Sequence, residues 1–222
     1  MADVSSFEEL LHHEIRWPQP GDNPFSVPDG SCDHARIDEH GFSRFVLMTE
    51  GYKQAAVRLV DAALNSDGNR DMLVYPILFL YRHCLELELK YIISTYGPPV
   101  GVNPVWNSHN LVALWQTFER VLDGFGVKDE DSADPVVGSI VAEFAKIDPQ
   151  SFSYRYPCDT KGNVIPVDQN ALHLETLKDV MDGAFVYFTG CDGYLDHLNS
   201  AVPYEPKSIS WRHWRSAERR RI

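Results

Sequence analysis

Apolar residues recur three or four positions apart along several stretches of the chain, which is the spacing that gathers them on one face of an α-helix. The first stretch covers residues 42–65. The second stretch continues to Tyr96 and stops before Gly97-Pro98-Pro99, with Asp71 placed to cap its start. The pattern therefore predicts two long helices in the first half of the chain.

The same spacing predicts three more helices in the second half. Asn107 or Ser108 can cap a helix that ends near Gly124. A shorter helix follows, with Pro135 acceptable in its first turn. Residues 168–200 then predict a long final helix.

A different pattern precedes the final helix, in the segment SFSYRYPCDTKGNVIPV. Aromatic and polar residues alternate there, and the sequence Asp159-Thr160-Lys161-Gly162 is typical of a turn. The segment predicts a small β-hairpin. The predicted fold is an all-α bundle of four to five helices with this hairpin inserted before the last long helix.

The two ends of the chain lack helical patterning of this strength. Residues 1–41 contain a short helix-like stretch and then many prolines and glycines, so they predict an arm or surface loop. Residues 201–222 are basic and include Trp211 and Trp214, which could stack on bases or pack on an acidic bundle, their own or a neighbour's. We predict three parts, namely the arm 1–41, the helical bundle 42–200 and the basic tail 201–222.

Composition narrows the class of protein. A net charge of -12 over 222 residues argues against a surface that binds nucleic acid by general attraction to phosphates, although a local basic patch is compatible with it. The four cysteines are far apart, the start of the chain lacks the pattern of a signal peptide, and the longest apolar run is too short to span a membrane. We expect a cytoplasmic protein with no membrane association.

The second predicted helix contains YRHCLELELKYIISTYG, which sets many charges among apolar residues. At about 100° per residue, Arg82, Glu86 and Lys90 share one stripe, with His83 beside it. Because the helix is apolar nearly all round, we expect it to be central and its charges to be partly buried. Either the stripe forms ion pairs on a solvated edge, or its charges find partners in other segments and form a candidate site.

Two residues elsewhere could supply such partners. His109 begins the third predicted helix, where its ring could point back toward the second. Arg155 lies among Phe152, Tyr154 and Tyr156, a setting suited to stacking a base or binding a phosphate. Each also has a structural interpretation, as a histidine at a helix start and as an arginine stacked on its own tyrosines.

No metal or cofactor is predicted. Cys32, His34 and His40 could be three zinc ligands, but their spacing matches no common zinc site. The motifs of nucleotide-binding loops, zinc proteases and serine hydrolases are not found in the sequence.

Several short motifs together resemble the HEPN superfamily of small helical-bundle proteins. They are R-H-x-x-E-L-x-L-K from Arg82 to Lys90, the helix start S-H-N-L, the segment Y-R-Y-P and the long last helix. The resemblance covers about residues 42–200. It implies an α-helical bundle that often forms a homodimer, and commonly metal-independent RNA cleavage in toxin-antitoxin, phage-defence or RNA-processing systems, with an antitoxin or defence protein as a partner.

The sequence departs from that family in its catalytic signature. The family's signature is an arginine and a histidine separated by four to six residues, whereas the nearest pair here, Arg36 and His40, has three residues between them. Two hypotheses follow. Either an RNA-cleaving site is rebuilt from other residues, or the bundle is a non-catalytic module that binds a protein or a nucleotide.

The catalytic hypothesis assigns roles to the residues already named. A histidine would transfer the proton and an arginine would stabilise the charged phosphorane, as general acid-base RNA cleavage requires. The candidate catalytic residues are His83, His109, Arg82, Arg155 and Glu86, with Glu86 orienting the others. The candidate substrate-binding residues are Lys90, Tyr154 and Tyr156.

Overall fold

The computed structural model describes residues 17–26, 30, 35–38, 40–66, 68–167 and 171–201. These residues contain the α-helices α1 (Gly41–Leu64), α2 (Arg70–Tyr96), α3 (Leu111–Phe125), α4 (Ala133–Ile147) and α5 (Leu174–Ala201), and a 3-10 turn at Pro98–Val100. The predicted all-α bundle is confirmed. None of the helices in these ranges is long and apolar enough to cross a lipid bilayer.

The chain divides into two compact units, residues 1–38 and residues 39–222, and all five helices belong to the second unit. The described part of the first unit consists of turns held by short side chains, such as that of Asp22, which accepts a hydrogen bond from the amide of Gln19 at 2.8 Å. The predicted short helix near the start and the basic tail both lie outside the described residues.

Helix α2 is the central helix of the bundle and packs against α1, α3 and α5. Its buried side chains face every direction around the helix axis, as the sequence pattern predicted. The fully buried apolar residues of α2 are Ile77, Tyr81, Cys84, Leu85, Leu89, Ile92 and Ile93. Any charged side chain on this helix therefore lies close to the core.

Helix α3 joins the core through aromatic rings. The rings of Trp115 and Phe118 lie 5.1 Å apart, and Phe118 meets Phe188 of α5 edge to face at 5.9 Å. Helix α4 approaches closely because Gly138 has no side chain, since a Cβ atom there would lie only 2.9 Å from the indole nitrogen of Trp115. Small and large residues thus interlock where the three helices meet.

The helix starts differ from those predicted. Helix α2 begins at Arg70, and the residue before it makes no side-chain capping bond. Asp71 is in the first turn, where a carboxylate favours the helix dipole, so its predicted capping role is wrong. Helix α3 is capped by Asn110, whose side-chain oxygen accepts a hydrogen bond from the amide of Ala113 at 3.1 Å. Asn107 and Ser108 precede the cap.

The predicted β-hairpin is wrong, because the segment between α4 and α5 contains no strand among its described residues and only one isolated antiparallel bridge, Cys158 with Val164. One carboxylate oxygen of Asp148 accepts hydrogen bonds from the amides of Phe152 and Ser153, at 2.7 and 3.0 Å. These bonds start a turn at the place where the aromatic alternation predicted a strand. A side chain that accepts hydrogen bonds from nearby backbone amides competes with strand pairing in this way.

The cap of α3 is testable by substitution. We expect Asn110→Ala to lower the free energy of unfolding by about 1 kcal/mol, because it removes the side-chain acceptor of the first turn. Asn107→Ala is the matched control and should change stability by less than about 0.5 kcal/mol. Urea denaturation measures both, and a larger loss in the control would contradict the assignment of the cap.

Candidate functional site

Arg82 is fully buried, and its guanidinium joins three segments of the chain. Nε donates to the backbone oxygen of Asp148 at 2.9 Å, and Nη2 donates to the backbone oxygen of His109 at 2.7 Å. Nη1 donates to Glu86 Oε2 at 3.1 Å. The side chain therefore ties α2 to the start of α3 and to the end of α4. We call Arg82, Glu86, Lys90, His109 and Asp148 the Arg82 cluster.

Glu86 is the second centre of the cluster. Its Oε1 atom lies 2.9 Å from Lys90 Nζ and 2.8 Å from His109 Nδ1, and Lys90 also donates to the backbone oxygen of Trp106. Burial alone would raise the pKa of Glu86, but the hydrogen bonds and charges of Lys90 and His109 outweigh burial and lower that pKa. Glu86 is therefore ionised and paired at neutral pH.

Asp148 completes the cluster, and it is the residue that sequence reasoning missed. It is fully buried. Its Oδ2 atom lies 3.5 Å from Arg82 Nε and has no hydrogen-bond partner among the described residues, because that Nε–H is directed at the backbone oxygen of the same aspartate. The contact is therefore electrostatic. In the sequence, an aspartate between a helix end and Pro149 is typical of an exposed turn, and this offered no signal of burial.

His109 is the exposed edge of the cluster. Its side chain is 60% exposed, whereas that of Glu86 is 3% exposed. Since a carboxylate accepts hydrogen bonds, the Glu86 contact favours the tautomer with its proton on Nδ1 and leaves Nε2 as an acceptor facing away from Glu86. Such an anchored, accessible imidazole can accept a proton from a bound molecule.

His83 lies apart from the cluster. Its ring stacks on Phe79 at 5.6 Å and meets the edge of Tyr52 at 4.9 Å, and no hydrogen bond joins it to Glu86 or His109. Burial is the main cause that lowers the pKa of His83, and the charges of three nearby cations lower it further against the opposing effect of Glu86. The imidazole of His83 is therefore neutral near pH 7.

Arg155 reaches α2 through an aromatic ring. Its guanidinium carbon lies 5.6 Å from the ring centre of Phe79, 5.2 Å from that of Phe152 and 5.7 Å from that of Tyr156. Its Nε donates to the backbone oxygen of Ser151 at 2.6 Å. Among the residues that the structure describes, no acidic side chain lies within 4 Å of its guanidinium nitrogens. We call Arg155 with these three rings the aromatic-arginine surface.

The two tyrosines beside Arg155 lie in different environments. Tyr156 is half exposed and its ring lies 5.2 Å from that of Phe152. Tyr154 is buried in the hydrophobic core, and its hydroxyl has no hydrogen-bond partner in the described part of the chain. The turn that starts at Asp148 thus directs neighbouring residues to opposite sides.

The predicted site residues therefore form two groups. Arg82, Glu86, Lys90 and His109 lie together, whereas His83, Arg155 and Tyr156 belong to or border the aromatic-arginine surface. The described residues include no group of three or more histidine, cysteine or acidic side chains placed to hold a metal ion, and Cys32 and His34 lie outside them. Comparison of the chain with protein-family models, curated proteins and solved structures finds no match. The HEPN resemblance stays a prediction.

Glu88 is a further acid of α2 and is partly buried, on the side that faces α1 and α5. Burial raises the pKa of Glu88 to about 7, with Lys53 of α1 opposing the shift while Glu50 of α1 and Asp192 of α5 add to it. The folded-state pKa thus exceeds the value of about 4.3 expected for the unfolded chain. An acid with a raised pKa stabilises the folded protein most at pH values below its unfolded-state pKa. This contribution to the free energy of unfolding is lost as the pH rises toward 7.

The Arg82 cluster yields a stability prediction. Arg82→Met should lower the free energy of unfolding by about 3–5 kcal/mol, because it leaves the buried Asp148 carboxylate without its cation and removes one of the two cations that pair with Glu86. Arg58→Met, at an exposed position of α1, is the matched control and should cost less than about 0.5 kcal/mol. Chemical denaturation at pH 7 measures both, and a loss below about 1 kcal/mol for Arg82→Met would contradict the structural role.

The Glu88 shift yields a pH prediction. Glu88→Gln cannot ionise, so at pH 8 we expect it to exceed the wild type in unfolding free energy by more than about 1 kcal/mol, since one unit of pKa shift is worth about 1.4 kcal/mol. Near pH 4, below the unfolded pKa, the difference should nearly vanish. Glu119→Gln, exposed on α3, serves as the control in thermal unfolding at both pH values. A constant difference between pH 4 and pH 8 would refute the shift.

Proposed function

We propose that this protein is a HEPN-like helical bundle that binds single-stranded RNA or a nucleotide on its aromatic-arginine surface without cleaving it. The observation that carries this proposal is the setting of Arg155, an arginine ringed by three aromatic side chains and without an acidic partner among the described residues. The protein has a net charge of -12 and therefore many carboxylates that could pair with an arginine. An arginine surrounded by aromatic rings instead is available to a ligand.

The surface offers the two interactions that a nucleotide needs. A guanidinium donates paired hydrogen bonds to phosphate oxygens, and aromatic rings stack on bases whatever their sequence. Phe152 and Tyr156 are 40% and 50% exposed, so each has ring area available to a base. The strongly acidic composition opposes general attraction to phosphates, so the expected binding is local to Arg155 and of modest affinity.

The Arg82 cluster supports a binding role over a catalytic one. Cleavage needs a cation beside the proton-transferring group, to stabilise the phosphorane. Arg82 is fully buried, and the ammonium group of Lys90 is bonded to Glu86 and to the backbone oxygen of Trp106. Neither cation is positioned to contact a substrate, so we assign both to the structure of the bundle.

The cluster still serves the proposed surface indirectly. Asp148 pairs with Arg82 through one carboxylate oxygen and holds the amides of Phe152 and Ser153 with the other. The same buried ion pair therefore fixes the turn that carries Arg155. A rigid turn loses little conformational entropy when a ligand binds.

Metal-independent RNA cleavage at His109 is the second candidate, and one observation favours it. The ring of His109 is largely exposed and is oriented by Glu86. Under this hypothesis the chain is a homodimeric ribonuclease of a bacterial toxin-antitoxin or phage-defence system, with RNA as its substrate and an antitoxin as its partner. For either candidate we propose a cytoplasmic location.

Binding of a fluorescently labelled single-stranded RNA tests the proposal. Fluorescence anisotropy should show binding by the wild type and at least ~5-fold weaker binding by Arg155→Gln, since a side chain that contacts the nucleic acid directly contributes about 1–3 kcal/mol. The variant should also show a shallower dependence of affinity on salt concentration, by about one phosphate contact. Lys161→Gln is the matched control, because it removes an exposed cation from the same segment.

The RNA recovered from the same samples distinguishes the two candidates. Intact RNA, together with binding that depends on Arg155, is the expected result. Cleavage by the wild type that His109→Ala abolishes would replace the binding proposal with the catalytic one. Equal affinities for Arg155→Gln and the wild type would refute the aromatic-arginine surface.

A further inference from the structure

An apolar groove of about 730 Å³ lies between α4 and the first turns of α5. Ile140 and Leu177 are half-buried in its walls, and the buried ring of Phe144 also lines it. Val136 and Val180 belong to the same lining, yet they are 60% and 42% exposed. Exposed apolar side chains gathered on one concave surface are typical of a site that packs against another apolar segment. We call this surface the α4–α5 groove.

The polar side chains at one end of the groove already have partners. His173 Nδ1 lies 2.8 Å from Thr176 Oγ1 and accepts a hydrogen bond from the amide of Thr176 at 3.2 Å. Glu143 supplies a carboxylate in the lining and is exposed. An occupant of the groove therefore needs apolar side chains for the walls, and positive charge beside them is favourable.

The end of the groove at which α4 begins is acidic. The exposed segment 128–131 precedes α4 and contains one lysine and three acidic residues. Asp134, in the first turn of α4, accepts a hydrogen bond from the Tyr187 hydroxyl at 2.6 Å. This bond places the start of α4 beside the middle of α5. The exposed Lys146 is near the other end of α4, so the excess of negative charge lies on the side toward the end of α5.

The basic tail has the composition that such a groove requires. It contains Trp211 and Trp214, and residues 202–222 include six lysines and arginines against two glutamates. A tryptophan buries about 150–250 Å² of surface, more than most side chains do. Arg212 and Arg215 follow the two tryptophans directly, so the same short segment brings apolar rings and positive charge together.

The tail is also long enough to reach the groove of its own chain. With a rise of 1.5 Å per residue, Ala201 at the end of α5 lies about 32 Å along the helix from Val180. The ten residues 202–211 can span about 33–36 Å. Trp211 can therefore return along α5 as far as Val180, and Trp214 can reach further into the groove.

We propose that Trp211 and Trp214 dock in the α4–α5 groove of the same chain, with their neighbouring arginines beside the acidic start of α4. Because the tail is attached to α5, its effective concentration at the groove is in the millimolar range, and weak contacts suffice. Docking withdraws both indoles from solvent and from other partners. The inference goes beyond the proposed function, because the groove shares no residue with the aromatic-arginine surface.

Trypsin cleavage of the full chain tests this docking, because trypsin cuts after arginine only where the backbone is accessible. Val136→Gln combined with Val180→Gln should accelerate cleavage after Arg212 and Arg215 at least ~5-fold, since the loss of apolar contact releases the tail. The rate should not depend on protein concentration, because the docking is intramolecular. Mass spectrometry of the fragments over time measures the cleavage.

Two further pairs of substitutions separate docking from a general effect on folding. Val46→Gln combined with Val186→Gln is the matched control, at valines that are 53% and 72% exposed outside the groove, and should stay within about twofold of the wild-type rate. Trp211→Ala combined with Trp214→Ala removes the docking groups and leaves the bundle intact. In that background the groove substitutions should accelerate cleavage no further.

Four results would overturn the docking proposal. One is a groove variant that trypsin cleaves at the wild-type rate, and another is an acceleration that persists when both tryptophans are replaced. Protection that disappears on dilution would place the tail on a second copy of the chain. Protection that requires added single-stranded RNA would assign the tail to nucleic acid instead. The trypsin assay itself contains no RNA, so failure of the aromatic-arginine surface to bind RNA would leave it unaffected.

Discussion

The buried guanidinium of Arg82 is the interaction on which the arrangement of this bundle depends. A charge without solvent must be matched by acceptors, and here two backbone oxygens and the Glu86 carboxylate provide them. The two backbone oxygens belong to segments far away in the sequence. The requirement to satisfy one side chain therefore fixes where α3 begins and where α4 ends relative to α2.

The same requirement explains why the cluster is balanced in charge. Glu86 and Asp148 bring two negative charges to Arg82 and Lys90, so the buried group has no large net charge before His109 is counted. His109 contacts Glu86 from the exposed edge of this balanced group. The interior of the cluster is therefore structural, and His109 is its exposed edge.

The sequence predicted those parts of the structure that depend on local periodicity. Helix positions follow from apolar spacing, and the pairing of Arg82 with Glu86 and of Glu86 with Lys90 follows from their separation by one helical turn. Other features depend on competition among similar residues or on distant contacts. Several residues before α3 can cap a helix, and only the folded chain selects Asn110. Nothing local in the sequence indicated that Asp148 is buried or that His83 faces Tyr52.

The turn after α4 has a consequence for the cooperativity of the fold. Surface turns usually open on their own, at little cost in free energy. In this turn, the amides of Phe152 and Ser153 are held by a carboxylate that also faces the buried Arg82. Releasing them would disturb a charge in the core, so the turn opens together with the bundle. A segment that resembles a loop in its backbone thus behaves thermodynamically as part of the interior, and Arg155 and Tyr154 keep fixed positions on its two sides.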